Sequence, residues 1–254
     1  MIVCKSPAEI EKMRAANQLV ARVLEDLAAM VAPGVSTADL DAAAEAKVRA
    51  AGAEPAFKGY RGYPATLCAS VNEQVVHGIP SRRVLAAGDI VSLDMGVRLN
   101  GYYGDSAVTV AVGPVSEEVT RLLRVTQEAL QAGIAQVKVG GRISDIGHAI
   151  QRFVEGEGFS VVREFVGHGI GAALHEEPQI ANYGEPGRGP RLAEGMTLAI
   201  EPMANMGKPA VKVLADGWTA VTKDGSLSAH FEHTVAVTNN GPDVLTMKPV
   251  GVNR

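Results

Sequence analysis

Four carboxylates stand where the surrounding residues predict burial. Asp94 closes the apolar run Ile90-Val91-Ser92-Leu93, and Glu201 follows Thr197-Leu198-Ala199-Ile200 and precedes Pro202. Asp105 opens Asp105-Ser106-Ala107-Val108, and Glu232 lies within His230-Phe231-Glu232-His233-Thr234-Val235. Asp94 or Asp105 alone is an ordinary strand-end or turn residue. Four such groups cannot share one apolar pocket unless protons or cations neutralise them. His168, in Val166-Gly167-His168-Gly169-Ile170-Gly171, adds an imidazole between glycines that leave it uncrowded; alone it would serve equally well as a core histidine. Carboxylates with an imidazole suit Mn²⁺, Fe²⁺, Co²⁺ or Zn²⁺, whereas a structural zinc site favours a set of thiolates that two scattered cysteines do not supply. Two divalent ions would cancel the charge, polarise a carbonyl and activate water.

Two further histidines stand nearby in pattern. His77-Gly78-Ile79-Pro80 echoes His168-Gly169-Ile170-Gly171, and His175 follows His168 by seven residues within Leu174-His175-Glu176-Glu177-Pro178. Alone, a turn cap and a surface imidazole account for them; beside a metal site both become substrate-facing candidates. His230 and His233 flank Glu232 too closely for all three to point one way along an alternating strand, so neither is given a catalytic role. Cys68 has no evident base partner and reads as a packed, apolar thiol. No G-x-S-x-G nucleophile elbow occurs, and Gly167 to Gly171 lacks the spacing and βαβ setting of a dinucleotide site.

The elements that must position these groups are legible. Ser6-Pro7-Ala8-Glu9 combines an N-cap serine, a proline at the first helical position and a glutamate three residues after the cap. A helix follows with Ile10, Met13, Val20, Leu24, Leu27 and Val31 on its apolar face, stopped by Pro33-Gly34. Residues 36–39 begin another, with Gly52 beyond its end. Residues 60–112 change to short β-rich runs and turns, and Asn100-Gly101 between two of them predicts a hairpin. The order then recurs: helices over 116–135 and 144–156, then strands and turns over 161–238.

A shift of 106 residues carries Gly34 onto Gly140, Asp39 onto Asp145 and Gly52 onto Gly158. A shift of 107 carries Leu85-Ala86-Ala87-Gly88 onto Leu192-Ala193-Glu194-Gly195 and Asp94 onto Glu201, and a shift of 127 carries Asp105 onto Glu232. Isolated glycine or leucine matches mean little, but two carboxylates matching in order imply duplication. The expected architecture is α+β in two pseudo-symmetric halves, about 1–113 and 114–254, with one carboxylate pair from each meeting at the join.

The 254 residues, 46% hydrophobic, can bury a substantial core. With 24 Lys+Arg against 28 Asp+Glu and a net charge of −4, there is no broad basic field, so neither nucleic acid as substrate nor a membrane is an expected partner. No signal-peptide pattern opens the chain, and two cysteines, Cys4 and Cys68, suit a reducing compartment; a cytoplasmic protein is expected. Without a coiled-coil pattern, a monomer is expected.

The sequence resembles the bacterial type I methionine aminopeptidases through the Lys5-Ser6-Pro7 opening, Gly62-Tyr63-Pro64, Asn72-Glu73 before His77-Gly78-Ile79-Pro80, Gly167 to Gly171, His175-Glu176-Glu177-Pro178, Glu201-Pro202 and Glu232-His233-Thr234. These segments span nearly the whole chain. The resemblance implies a single pita-bread domain over 1–254, a curved antiparallel sheet flanked by helices. It implies two divalent ions (Co²⁺, Mn²⁺, Fe²⁺ or Zn²⁺): Asp94 holding one, Asp105 and Glu232 bridging both, and His168 with Glu201 holding the other. It implies that His77 and His175 contact the substrate and help stabilise the tetrahedral intermediate, that Glu201 is a proton shuttle, and that Tyr60, Tyr63, Cys68 and Trp218 form a methionine pocket. Leu174 stands where relatives often carry an aromatic, which implies a looser pocket. The implied substrates are nascent polypeptides beginning with Met and a small residue, with the ribosome as a candidate partner.

The enzyme rivals are proline-directed or creatinase-like members of the same fold, which usually add an N-terminal domain, where here a short helical lead precedes the metal-binding half. A catalytically dead binding relative would lose metal ligands, and this set is complete. The long insertion of the type II branch and the zinc-binding extension of expanded eukaryotic type I forms are also missing from the pattern.

Overall fold

In the computed structural model, which describes residues 1–247, the capping residues start the helices as their side-chain chemistry dictates. Ser6 Oγ accepts from Glu9 N at 3.4 Å while the Glu9 carboxylate accepts from Ser6 N at 2.7 Å, opening α1 (Pro7–Met30). Ser36 and Asp39 repeat the device for α2 (Thr37–Ala50). Ser116 caps α3 (Glu117–Ile134), and Asp145 reaches back to Arg142 N at 2.8 Å to open α4 (Ile143–Gly156). The helices expected over 116–135 and 144–156 therefore form within a residue of those bounds. The end of the expected second half, residues 248–254, lies outside the described residues.

Between α2 and α3 run β1 (Glu54–Pro55), β2 (Cys68–Val71), β3 (Gln74–Val76), β4 (Ile90–Leu99) and β5 (Tyr102–Ala111). After α4 come β6 (Ser160–Val161), β7 (Gly167–Gly169), β8 (Glu176–Ile180), β9 (Thr197–Ile200), β10 (Met203–Asn205), β11 (Val211–Val213) and β12 (Ala220–Thr222). The last described strands are β13 (Ser228–His230), β14 (His233–Thr238) and β15 (Gly241–Val244). β4 pairs β5 on one side and β2 and β1 on the other, and a second sheet runs β15-β14-β9-β7-β8. Smaller sheets, β13-β10-β6 and β11-β12-β3, fill the junctions, and the described ladders are antiparallel. The β4–β5 hairpin turns at Asn100 (φ 53°) and Gly101 (φ 84°), the positive pair its sequence predicts.

The duplication is visible in the backbone. Gly34 N donates to Leu85 O at 2.9 Å, and Gly140 N donates to Leu192 O at 2.8 Å. Leu85 N returns to Val35 O and Leu192 N to Gly141 O, both at 2.8 Å. Gly34 and Gly140 share a positive φ, 97° and 88°, which is why the same residue recurs at both hinges. The helix pairs pack outside the sheets: α1 and α2 bury Leu19, Leu27, Leu40 and Val48 against Leu93 and Met95, and α3 and α4 bury Leu122, Leu130, Ile146 and Ile150 with Leu198 and Val235.

α1 presses most closely on β5 at Gly104, where an added Cβ would lie 2.7 Å from Asn17 N and 2.8 Å from Ala16 C. Backbone cannot swing aside as a side chain can. Gly104→Ala should therefore cost about 1–3 kcal/mol in denaturant unfolding, and because the neighbouring Asp105 N donates to Asn17 Oδ1 at 3.2 Å, the shift should reach the site described next. Unfolding at the wild-type midpoint would contradict this packing.

Candidate active site

β4 and β5 present two carboxylates on one face. Asp94 pairs with Ala107 and Asp105 with Gly96, so the two acids are diagonal neighbours two residues apart in register. The other two carboxylates occupy breaks between strands. Glu201 lies between β9 and β10, beside Pro202, and its carbonyl accepts from Asn182 Nδ2 at 3.0 Å. Glu232 lies between β13 and β14, where Glu232 N donates to Ala107 O at 2.9 Å and Ser106 Oγ donates to Glu232 O at 2.6 Å. That bridge brings the second half's carboxylate opposite Ala107, itself opposite Asp94. His168 comes from β7, paired with Ala199 of β9.

One potential ligand atom from each of Asp105, His168 and Glu232 lies within 4.8 Å of the others, all three residues buried. Asp94 and Glu201 fall outside that tight trio but line the same cavity. His168 Nε2 stands 3.6 Å from Glu201 Oε1 and 3.9 Å from Asp105 Oδ2, too far for a hydrogen bond. Its Nδ1 lies 2.9 Å from Gly169 O, which places the proton on Nδ1 and leaves the Nε2 lone pair facing the carboxylates. Asp105 Oδ1 and Glu232 Oε1 are buried without a hydrogen-bond partner among the described residues. A neutral imidazole lone pair converging with unpartnered carboxylate oxygens is the donor set of a divalent cation, and the site fits one.

Electrostatics make the same demand. Burial pushes the Asp94 carboxyl up to about 7. Asp105 is raised by burial, then by Glu232 and Asp94; Glu201 by burial, then by Asp94 and Asp105; Glu232 by burial, then by Glu201 and Asp94. His168 goes the other way, to about 4, because burial disfavours its cation. Raised carboxyls hold more protons in the folded chain than in the unfolded one, so they remove stability as pH rises. Buried histidines with lowered values add stability up to the ordinary 6.5, where their contribution ends. Above about pH 6.5 only the carboxyls remain in play. Metal-stripped protein should therefore lose thermal stability between pH 6.5 and 8, and divalent metal should restore it while releasing protons. Calorimetric titration in buffers of different ionisation enthalpy measures that release, and none at pH 7 would show the cluster already ionised.

The carboxylates form one wall of a cavity of about 140 Å³. Tyr60, Tyr63, Cys68, His77, His175 and Trp218 all line it. Tyr63 and Trp218 meet edge to face at 5.1 Å, and Tyr63 Oη donates toward Leu67 O and Gly78 O, each at 3.0 Å, so its ring is fixed. The Cys68 thiol is pushed up by burial and then by Asp94, as an inert packed cysteine requires. His175 Nδ1 is 2.9 Å from Tyr60 Oη, and its ring is 4.2 Å from that of His168. His77 sits at φ 60° with its ring edge-on to Phe165 and Trp218. Leu174, buried at 2% exposure, is part of the wall beside His175.

Three neighbours escaped the sequence reading. Phe57 and Arg61 line the cavity without a motif to mark them. His230 places Nε2 3.7 Å from Glu201 Oε2, and neither ring nitrogen has a hydrogen-bond partner among the described residues. Positions 230 and 232 share one face of an alternating strand, so alternation separates Glu232 from His233 and does not set His230 aside. The buried polar His230 beside an apolar Phe231 was the available signal.

With this geometry in place, comparison with known proteins adds the following. The model of metallopeptidase family M24 matches residues 11–239. Methionine aminopeptidase 1 of Bacillus subtilis is 55% identical over 246 residues, covering 97% of this chain and 99% of its own. The crystal structure of methionine aminopeptidase from Thermotoga maritima superposes with a TM-score of 0.96 at 49% identity, over 98% of this chain and all (100%) of that one. The prolidase of Pyrococcus horikoshii shares the fold alone, with a TM-score of 0.80 at 23% identity, and this chain covers 64% of it.

Proposed function

This chain belongs to metallopeptidase family M24, and from that premise we propose that it removes the amino-terminal methionine from newly made polypeptides whose second residue is small. The observation that carries the reading is the buried Asp105–His168–Glu232 group beneath a pocket of aromatic and sulfur surfaces. Divalent metal fits there. Asp94, Asp105, His168, Glu201 and Glu232 would hold it; Mn²⁺ and Co²⁺ are the first identities to test. Bound metal would act as a Lewis acid on the scissile carbonyl and lower the pKa of water.

The chain's own residues do the rest. Tyr63, Cys68 and Trp218 give a flexible thioether an apolar, polarisable wall, with Tyr60 at its edge and Leu174 leaving more room than an aromatic would. Burial holds His77 near pKa 4, and burial with His168 and Arg61 holds His175 near 3, so both are neutral donors at neutral pH. His175 Nδ1 lies 2.9 Å from the Tyr60 hydroxyl; in the tautomer where that hydroxyl donates, the ring proton rests on Nε2, ready to donate to oxygen as the carbonyl becomes tetrahedral. Glu201 takes the proton from attacking water at one oxygen and passes it to the departing amide nitrogen.

Residues 1–254 are read as one catalytic unit, monomeric and cytoplasmic, that meets nascent chains at or near the ribosome. No described helix is long and apolar enough to cross a membrane. The test is release of amino acid from Met-Ala, Leu-Ala and Xaa-Pro peptides by metal-stripped protein before and after Mn²⁺ or Co²⁺ is restored. Metal-dependent release from Met-Ala is expected; no release, or preference for Xaa-Pro, would overturn the reading.

A further inference from the structure

The pocket opens into a trough of about 490 Å³, and the charges lining the two spaces are not distributed alike. Glu164, Glu176 and Glu177 line the trough but not the inner cavity. Arg61 lines both, and apart from the ligand position Glu201 it is the charged side chain common to them. Arg61 therefore stands where the two spaces meet. Glu176 is already neutralised by Lys5 at 2.5 Å, and Glu164 Oε2 accepts from Arg163 N at 3.3 Å, so two of the trough's acids have partners. Arg61 is exposed and makes no ion pair with a carboxylate among the described residues; its guanidinium lies 5.4 Å from the Tyr60 ring. Its backbone adopts φ 50°, ψ 23°, a left-handed conformation uncommon for a long side chain. The turn spends strain to display a solvated, unpaired cation on the lip of the site.

Reach fixes which residue it meets. The Tyr60 ring is 5.2 Å from that of His175, placed beside the scissile amide in the reading above, on which this step rests. Two extended residues span roughly 7 Å, and a carboxylate side chain covers the remaining distance to the guanidinium. The second residue must be small, so the third is the first that can carry charge. We propose that Arg61 is a specificity determinant favouring an acidic side chain at the third residue of the polypeptide being trimmed.

The experiment compares Met-Ala-Asp-Gly, Met-Ala-Ser-Gly and Met-Ala-Lys-Gly, each with an amidated C-terminus, on the metal-loaded wild type, Arg61→Gln and Arg61→Glu. An exposed charge pair predicts kcat/KM about threefold higher for Asp than for Lys at low salt. The ratio should approach one as salt shortens the Debye length to about 3 Å near 1 M. Arg61→Gln should bring it to one and Arg61→Glu should invert it. All three side chains share the same strained backbone, so the comparison isolates charge. Equal rates on the three peptides in the wild type, or a ratio that neither variant moves, would overturn this inference alone. No release from any peptide would overturn the peptidase reading and this inference with it.

Discussion

Asp105→Asn and Glu232→Gln should each lower methionine release by about 10³-fold or more, and added Mn²⁺ or Co²⁺ should not recover it. The expectation follows from what the substitutions preserve. Asn and Gln keep volume and shape, so the backbone holding the site, Glu232 N on Ala107 O and Thr234 Oγ1 on Asp105 O, has no reason to move. What changes is the group facing His168 Nε2. An unpartnered carboxylate oxygen, Asp105 Oδ1 or Glu232 Oε1, is replaced by an amide whose NH₂ can point donors at the place where a cation must sit. Losing one of the charges that would hold the metal would remove several kcal/mol of Lewis-acid stabilisation, and each 1.4 kcal/mol is a decade in rate. A second readout moves oppositely. With one fewer buried carboxyl to ionise, each metal-free variant should be more stable than metal-free wild type at pH 8, because the acids in this cluster raise one another. Loss of activity together with loss of metal-free stability would indicate misfolding and would leave the ligand assignment without support from these variants.

How much of this was legible beforehand depended on whether a residue's role followed from its own neighbours in sequence. Ser6 and Glu9, Ser36 and Asp39, and Asn100-Gly101 are local devices, and the structure uses each as its chemistry predicts. Asp94 and Glu201 were legible because each closes an apolar run, and Asp105 and Glu232 because duplication set them in matching order. The mirrored hydrogen bonds at Gly34 and Gly140 show that the order has a structural origin. Phe57 and Arg61 were not legible. Their place on the cavity wall comes from the turn at Tyr60–Gly62, with its left-handed Arg61, and left-handed arginines leave no pattern. His230 was set aside together with His233, although a period of two puts only His233 on the face opposite Glu232. Strand breaks at Glu201 and Glu232 bring the second half's carboxylates to the pair that β4 and β5 present.

His175→Ala separates substrate chemistry from metal holding. His175 is outside the trio formed by Asp105, His168 and Glu232, so bound metal per chain should stay at the wild-type level. The imidazole nevertheless lies 4.2 Å from the His168 ring at the mouth of the pocket, where its Nε2 proton can meet a developing oxyanion. Removing one such donor typically lowers kcat by 10²–10³-fold, and kcat should fall more than KM rises, because the interaction strengthens only as charge develops. Tyr60→Phe tests the same assignment more gently. It keeps the ring that stacks on His175 at 5.2 Å but removes the hydroxyl at 2.9 Å that fixes the tautomer, and the expected loss is on the order of tenfold or more. Since burial, then His168 and Arg61, hold His175 near pKa 3, the acid side of the rate profile should show no imidazolium limb at 6.5. A His175→Ala enzyme with wild-type kcat, or one that loses its metal, would remove His175 from the role of neutral donor and return the oxyanion to groups elsewhere on the wall.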